Sequence, residues 1–135
     1  MSEYKFILPL TLTLPRKTKS DVKVSVNLNW FRSAHHRSYD EAKAVYASHM
    51  KEQLTSVDGP KGKLHIHYDY YAARNNSPDL DNFVGAAKKF FQDAMVKHGF
   101  IDEDNVNVIV SASEKYRGID RKNPRIEASI HVFDS

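Results

Sequence analysis

The sequence feature that most constrains the fold is a predicted strand over residues 63–71. A helix that begins near Pro78 is predicted to follow it. Apolar and polar side chains alternate along the strand, which indicates two different faces. The helix has apolar residues at helical spacing and ends at Gly99, the residue type that most often caps a helix C-terminus. These two elements predict a sheet with helices packed on it. One face of the strand contains Leu64, Ile66, Tyr68 and Tyr70, and the apolar stripe of the helix contains Leu80, Phe83, Val84, Ala87, Phe91, Ala94 and Met95.

Four further strands are predicted on either side of this unit. Residues 4–14 alternate in part and end at Pro15, and residues 22–29 alternate cleanly, so these two strands are expected to form a hairpin. Residues 106–112 and 124–133 are predicted to be the last two strands.

A second helix is predicted before the central strand. Ser38, with Glu41 three residues further on, predicts a capping box at the start of a helix that runs to about Leu54. The order is therefore β-β-α-β-α-β-β, which is an α/β chain of the α+β type with a mixed sheet and two main helices. Because the chain has 135 residues and no repeat, low-complexity tract or linker, we expect a single domain over residues 1–135.

The composition excludes several kinds of site. The chain has no cysteine, which excludes disulfides, thiolate zinc sites, iron–sulfur clusters and a cysteine nucleophile. No apolar run is long enough for a transmembrane helix, and the first residues lack the basic-then-apolar pattern of a signal peptide. We therefore expect a cytoplasmic protein without a membrane partner.

Basic residues are gathered in turn-like stretches. The formal net charge is +3 at pH 7, and lysine and arginine crowd into residues 16–19, 61–63 and 115–125. Two interpretations remain open: these side chains only keep the turns solvated, or they contact the phosphates of a nucleic acid. The candidate DNA contacts are Arg16, Lys17, Lys19, Arg32, Arg37, Arg74, Lys88, Lys89, Lys115 and Arg117.

Two short acidic clusters stand out in this basic chain. One is Asp79-Leu80-Asp81-Asn82 at the start of the long helix, and the other is Glu103-Asp104 after its end. Carboxylates repel phosphate unless a divalent cation lies between them, so these clusters suggest metal-assisted chemistry on nucleic acid. Helix capping is the structural alternative, but Ser77 can cap this helix and leaves both aspartates free. Mg²⁺ prefers oxygen ligands and needs only two or three carboxylates, which Asp79, Asp81 and Asp104 would supply.

These residues resemble the signature of the RusA-type Holliday-junction resolvases, small endonucleases that are often encoded by phages or prophages. The family pattern is an Asp-Leu-Asp-Asn start to a helix, followed by an acidic pair shortly after the helix ends. It fits residues 60–115 well and residues 27–37 more loosely. The resemblance implies a mixed α/β fold, a homodimer, and Mg²⁺-dependent paired nicking of four-way DNA junctions in the cytoplasm of a bacterial host, with Mn²⁺ as an alternative ion. The metal-binding aspartates that it implies are Asp79, Asp81 and Asp104, while Glu103 stands where the family usually has aspartate.

The chain departs from the family at Gly85, where the family commonly has a functional lysine. Lys88, one turn further along the same helix face, is the candidate for the missing catalytic cation, and Lys89 is a second candidate. Two interpretations of Gly85 remain open. It leaves a bare patch that lets a phosphate backbone approach, or it allows tight packing against another helix.

Other residues also leave alternatives open. His65, His67 and Asp69 share one face of the central strand, where they would form a Zn²⁺ or Mn²⁺ site or simply face solvent. Three aromatic residues before and within the first helix would stack on unpaired bases or pack in the core; these are Trp30, Phe31 and Tyr39.

The function predicted from the sequence is a Mg²⁺-dependent endonuclease that resolves four-way DNA junctions. A non-catalytic module that binds branched DNA is one alternative, which the glycine at position 85 favours. A nuclease of broader specificity, which also cuts flaps or forks, is another. A non-catalytic module would bind DNA without Mg²⁺ and never nick it, whereas the endonuclease would nick only with Mg²⁺. Cleavage of a four-way junction, a flap and a fork, compared side by side, would distinguish a strict resolvase from a nuclease of broader specificity.

Overall fold

The computed structural model describes residues 3–75 and 80–133. In chain order the described elements are β1 (Glu3–Leu8), β2 (Thr11–Leu14), β3 (Val22–Ser25), α1 (Leu28–Ser33), α2 (His36–Thr55), β4 (Leu64–Ala72), α3 (Leu80–Lys97), β5 (Ile109–Ile119) and β6 (Arg125–Val132). The predicted α+β fold class is confirmed, with α1 as an additional short helix. None of the described helices has the length and apolarity that a bilayer span requires.

Four of the strands form one mixed sheet in the order β1-β6-β4-β5. β4 is parallel to β5 and antiparallel to β6, and β6 is antiparallel to β1. The parallel pair needs a long crossover connection, which α3 provides. As a result β1, β4 and β5 run in the same direction. We call the edge where these three strands end the carboxyl edge, and the edge where they begin the amino edge.

The helix-facing side of the sheet carries the core. The alternation predicted for the central strand is confirmed, because Leu64, Ile66, Tyr68 and Tyr70 are all buried. Phe90 and Phe91 of α3 belong to the same buried cluster, and α3 also packs against α2. The other side of the sheet, which we call the polar face, carries the intervening side chains: His65, His67, Asp69, Ser111, Ser113, Arg117, Glu127, Ser129 and His131.

The N-terminal strands differ in part from the prediction. The strand predicted over residues 4–14 is interrupted at Pro9 and Leu10, so that β1 pairs with β6 and only β2 pairs with β3. Proline lacks the N–H that a ladder requires, which explains why the strand divides there. The predicted hairpin therefore exists only in its second half.

The capping box predicted at Ser38 is wrong. α2 begins at His36, and the Nδ1 atom of His35 accepts a hydrogen bond from the Arg37 N–H at 3.2 Å. The physical reason is that α1 ends only shortly before α2, at Ser33, so the chain enters the second helix earlier than the pattern indicates. α1 has its own cap, since Asn27 Oδ1 accepts a hydrogen bond from the Trp30 N–H at 2.7 Å.

Candidate metal and nucleic-acid site

Asp81 lies in the first turn of α3, at the carboxyl edge of the sheet, and its side chain is exposed. The helix start is fixed by its neighbour Asn82, whose buried Oδ1 atom accepts a hydrogen bond from the Asn29 N–H at 3.0 Å. Among the residues that the structure describes, Asp81 forms no ion pair. Its carboxylate is therefore available to a cation, in a position where the helix dipole also stabilises it.

Asp79 lies outside the described residues, and so does Ser77. The prediction that Asp79 shares a metal ion with Asp81 therefore stays a prediction.

Gly85 is a packing glycine. A Cβ atom at this position would lie 3.0 Å from Cδ1 of Leu28, which belongs to α1. Of the two interpretations that the sequence leaves open, the structure thus favours tight packing, and the packed helix belongs to the same chain. A longer side chain at this position requires Leu28 to move. This explains in steric terms why the chain has no lysine where the RusA-type pattern has one.

Lys88 is held between α3 and β5. Its Nζ atom lies 3.3 Å from Glu114 Oε1 and 5.7 Å from the centroid of the Tyr68 ring. It lies seven residues after Asp81, which corresponds to about 10 Å along the helix axis. The structure therefore places this lysine on the β5 side of α3 and pairs its charge with Glu114, whereas Lys89 is exposed.

The second acidic cluster lies at the other end of α3. Gly99 ends the helix with φ +73°, as predicted, and the Phe100 N–H donates to Met95 O at 2.9 Å in the pattern of a Schellman cap. Residues 102–104, which we call the acidic loop, are exposed and line a cavity of about 650 Å³ between α2 and α3. Asp40 and Asp93 line the same cavity, so it is rich in carboxylates.

Asp81 and the second acidic cluster do not meet within one chain. α3 has 18 residues, so it is about 27 Å long at 1.5 Å per residue. Asp81 lies at its start, near the carboxyl edge, and Asp104 follows its end, near the amino edge. Within residues 3–75 and 80–133, no three histidine or acidic side chains are grouped closely enough to hold a metal ion. The oxygen donors suit Mg²⁺ in chemical type, but a single chain does not bring Asp81 and Asp104 together.

The histidines of the polar face form a hydrogen-bonded array. His67 Nε2 lies 2.9 Å from Asp69 Oδ1, and its Nδ1 lies 2.6 Å from the Ser113 hydroxyl. His65 Nε2 lies 3.0 Å from the same hydroxyl, and its Nδ1 lies 2.6 Å from the Ser111 hydroxyl. If both imidazoles are neutral and protonated at Nε2, every bond in this chain has one donor and one acceptor. All four ring nitrogens are thus engaged, which favours the structural interpretation of these histidines over the metal site.

His65 and Asp69 are among the groups on the polar face that have displaced pKa values. Burial, together with the nearby His131 and His67 rings, lowers the pKa of His65 below its usual value. Burial acts to raise the pKa of the Asp69 carboxyl, but hydrogen bonds from Arg117 and His67 outweigh it and lower that pKa. Asp69 therefore stays ionised and holds Arg117, whose Nε lies 2.7 Å from its Oδ1.

The predicted DNA contacts divide into paired and unpaired cations. Arg16 lies 2.9 Å from Glu41 Oε1, and Arg117 and Lys88 have the carboxylate partners given above. Arg74 is exposed just beyond the end of β4, at the carboxyl edge. The exposed cations that form no ion pair with a described carboxylate are Lys17, Lys19, Arg32, Arg37, Lys89 and Lys115.

The aromatic residues proposed to stack on bases pack against the core instead. The Phe31 ring centroid lies 4.6 Å from that of Phe90 and 5.1 Å from that of Tyr39. Trp30 is also partly buried against the same core. Of the two interpretations, the structure therefore favours packing for all three residues.

A pocket at the carboxyl edge was not anticipated from the sequence. It has a volume of about 440 Å³ and is lined by residues from separate parts of the chain, among them Asn27, Arg74, Phe83 and Pro124. No local pattern indicates it, because its walls come from four different connections. Phe83, which lies in the first turn of α3 two residues after Asp81, is the part of that helix that lines the pocket.

Comparison with known proteins yields no matching family model and no matching curated protein. The resemblance to the RusA-type resolvases therefore rests on the two acidic segments and on the helix between them. What the chain does has to be inferred from these residues and from their geometry.

Proposed function

We propose that this chain is a Mg²⁺-dependent endonuclease that nicks branched DNA, with four-way junctions as its substrate. The observation that carries the proposal is the exposed Asp81 carboxylate, which lies at the carboxyl edge, in the first turn of a helix. In open α/β sheets, ligands commonly bind at the carboxyl ends of the strands. A cleft and the exposed Arg74 lie at the same edge, which suits a phosphate backbone.

In this proposal Asp79 and Asp81 hold the metal ion at the start of α3, and Asp104 completes its ligands from a second subunit. Mg²⁺, when bound, would supply a hydroxide nucleophile and neutralise the charge of the scissile phosphate. The hydrogen bond between Asn82 and Asn29 anchors the helix start, and with it Asp81, on α1. Lys88 is proposed to stabilise the charge that develops on the phosphate. To do so, it must leave its ion pair with Glu114 and contact the DNA instead.

The unpaired cations are proposed to hold the arms of the junction. Lys17 and Lys19 lie on the turn between β2 and β3. Arg32 lies near the end of α1, and Arg37 lies in the first turn of α2. Because none of them is neutralised by a described carboxylate, each can release counterions from DNA on binding. The affinity for DNA is then expected to fall steeply as salt increases.

A cleavage assay tests the proposal. The purified chain is incubated with a labelled four-way junction in Mg²⁺ and in EDTA, and the variant Asp81→Asn is compared with Glu52→Gln, which removes an exposed helical carboxylate elsewhere. We expect nicking only in Mg²⁺, no nicking by Asp81→Asn, and junction binding by Asp81→Asn that is equal or tighter, because repulsion between carboxylate and phosphate is removed. Full nuclease activity of Asp81→Asn, or nicking in EDTA, would contradict the proposal.

The second candidate is a non-catalytic module that binds branched DNA. The separation of Asp81 from Asp104 along α3 favours it, because the described part of a single chain assembles no complete carboxylate site. Such a module would bind the junction equally well in EDTA and would never nick it. Flaps, forks and plain duplex in the same assay distinguish a strict resolvase from a nuclease of broader specificity.

A further inference from the structure

The pocket at the carboxyl edge is formed where the chain leaves the main sheet. β1 ends at Leu8 and β2 begins at Thr11, so Pro9 and Leu10 pass from the four-stranded sheet to the separate two-stranded sheet. The Val26 N–H donates to Leu10 O at 2.8 Å, which ties the end of the smaller sheet to this connection. Residues of both sheets line the pocket, and its volume of about 440 Å³ lies in the usual range of ligand sites.

Aromatic and cyclic side chains form the apolar part of this pocket. Tyr70 and Phe83 line it, with ring centroids 5.1 Å apart and planes 31° apart, and both residues are buried. Pro9 and Pro124 line it from two other connections. Flat apolar surfaces of this kind accept a planar ring, and every nucleobase can stack on an aromatic side chain.

The polar part of the pocket suits a neutral ring that carries hydrogen-bonding groups and is joined to an anion. Thr11, Ser25 and Asn27 contribute hydroxyl and amide groups, and Arg74 contributes a cation. Among the described residues that line this pocket there is no aspartate or glutamate, whereas several carboxylates line the cavity between α2 and α3. DNA is therefore favoured at this pocket even without a metal ion.

Asn27 connects the pocket to the start of α3. Its Oδ1 atom accepts the Trp30 N–H at the start of α1, which leaves its amide nitrogen as a donor. Two residues later, the Asn29 N–H donates to Oδ1 of Asn82, the neighbour of Asp81 in the first turn of α3. The start of α1 thus supplies one donor of the pocket and also anchors the helix turn that carries Asp81.

We propose that this pocket binds one unpaired base of branched DNA. The ring of the base packs against Tyr70 and Phe83. The amide nitrogen of Asn27 donates to the base, and Arg74 contacts its phosphate. The nature of the DNA substrate rests on the proposed function, whereas binding to the pocket can be measured without nicking.

Such a pocket gives the chain a physical reason to prefer a junction over plain duplex. Turning a base out of the stack costs free energy, and the cost is least for a base that is already unpaired. The bases at the crossover of a four-way junction are easier to unpair than those inside an arm. The pocket therefore selects the branch point by the ease of unpairing, and the exposed cations hold the arms.

Two threonines of β2 provide a matched test of the pocket. Thr11 and Thr13 are both exposed and lie two residues apart on the same face of the strand, and Thr11 lines the pocket whereas Thr13 is not among its described lining residues. Thr11→Trp places an indole in the pocket, and Thr13→Trp places the same ring further along the strand. Junction binding, measured by fluorescence anisotropy in EDTA, should weaken about tenfold or more in Thr11→Trp and stay native in Thr13→Trp.

Plain duplex DNA is the control for a general defect. Its binding depends on phosphate contacts, so both variants should bind duplex as the native chain does. Thermal unfolding of the three proteins checks that each is folded. An equal loss of junction and duplex binding in Thr11→Trp, or no loss of either, overturns the pocket.

A second variant tests the donor without filling the pocket. Serine also caps helix N-termini, so Asn27→Ser keeps the start of α1 but removes the amide nitrogen. It should weaken junction binding several-fold, as expected for one lost hydrogen bond, and leave duplex binding unchanged. Native affinity for the junction in Asn27→Ser overturns the role of Asn27 as a donor to the base.

Abasic nucleotides identify the base that enters the pocket. Each junction of a set lacks one base at or next to the crossover, and each is titrated with the native chain and with Thr11→Trp. Removing the base that the pocket binds should weaken binding by the native chain about tenfold and leave binding by Thr11→Trp unchanged, because an indole already fills the pocket. Base removal that affects both proteins equally at every position overturns the proposal.

A free nucleotide has the same chemistry as a base with its phosphate. The four deoxynucleoside monophosphates are therefore tested for stabilisation of the native chain and of Thr11→Trp in thermal unfolding. If they stabilise only the native chain while both proteins bind the junction equally, the pocket takes a free nucleotide and the DNA proposal is wrong.

The pocket and the proposed function fail in different ways. If the native chain nicks the junction in Mg²⁺, and Thr11→Trp binds and nicks it equally well, the pocket is wrong and the proposed function stands. If the native chain never nicks DNA but the differences in junction binding are found, the nuclease is wrong and the pocket stands.

Discussion

Leu28 of α1 packs directly on Gly85 of α3, so closely that a Cβ atom at position 85 would lie 3.0 Å from its Cδ1 atom. We expect Gly85→Lys to destabilise the fold, because overpacking costs about 1–3 kcal/mol and the gain in helix propensity offsets only about 0.7 kcal/mol of it. Truncating Leu28 should remove the overlap. Leu28→Ala with Gly85→Lys is therefore expected to be more stable than the sum of the two single changes predicts.

A double-mutant cycle measures this coupling by urea unfolding. We expect an interaction free energy of at least about 0.5 kcal/mol in favour of the double variant. Purely additive effects would show that Leu28 does not limit the space at position 85. If the double variant also nicks junctions faster than Leu28→Ala alone, a lysine at this position can act in catalysis, as it does in the pattern that the chain resembles.

The sequence predicts those parts of the fold that depend on local patterns. The alternation along β4 and the cap at Gly99 are both confirmed, because each depends on neighbouring residues only. The predicted partner of β1 was wrong, since its pattern fits β3 as well as β6 and only the assembled sheet decides between them. The start of α2 was also wrong, because α1 occupies the preceding residues and shifts it.

The candidate site is predictable to a similar degree. An exposed Asp81 at a helix start follows from the sequence, but its distance from Asp104 depends on the direction of α3 between two parallel strands. The packing role of Gly85 depends on Leu28, which is 57 residues away in the sequence, and no local pattern shows that contact. The same is true of the pair between Lys88 and Glu114.

That pair makes a specific prediction for catalysis. Lys88→Ala should slow nicking much more than it weakens junction binding, because its proposed role is in the transition state. Glu114→Gln removes the competing carboxylate and should leave nicking equal or faster. It should change the free energy of unfolding by less than about 1 kcal/mol, since the pair is partly exposed. Single-turnover cleavage and fluorescence anisotropy measure the two effects, and equal losses of rate and affinity in Lys88→Ala would show that it only contacts phosphate.

His65 should make the stability of the fold depend on pH near neutrality. Its pKa in the folded chain is lowered below 6.5 by burial and by the rings of His131 and His67, so the unfolded chain binds the proton more readily than the folded one does. Stability is then complete above about pH 6.5 and decreases as the pH falls below that value towards the pKa of the folded state.

His65→Gln keeps a hydrogen-bonding side chain beside Ser111 and Ser113 but removes this titration. Urea unfolding at pH 7.5 and pH 5 should show a smaller loss of stability in the variant than in the native chain. His49→Gln, which changes an exposed histidine of α2, is the matched control and should lose as much stability as the native chain. An equal loss in all three proteins would contradict the assignment of this pH dependence to His65.

The difference between paired and unpaired cations predicts how binding depends on salt. Arg37 is exposed and unpaired among the described residues, whereas Arg117 already forms an ion pair with Asp69. Arg37→Ala should therefore weaken junction binding and reduce the slope of log K against log salt by about 1, as expected for one lost phosphate contact. Arg117→Ala should leave that slope unchanged, although it exposes the Asp69 carboxylate. Anisotropy titrations at four salt concentrations measure both slopes, and a reduced slope in Arg117→Ala alone would place the DNA on the polar face of the sheet instead of along α1 and α2.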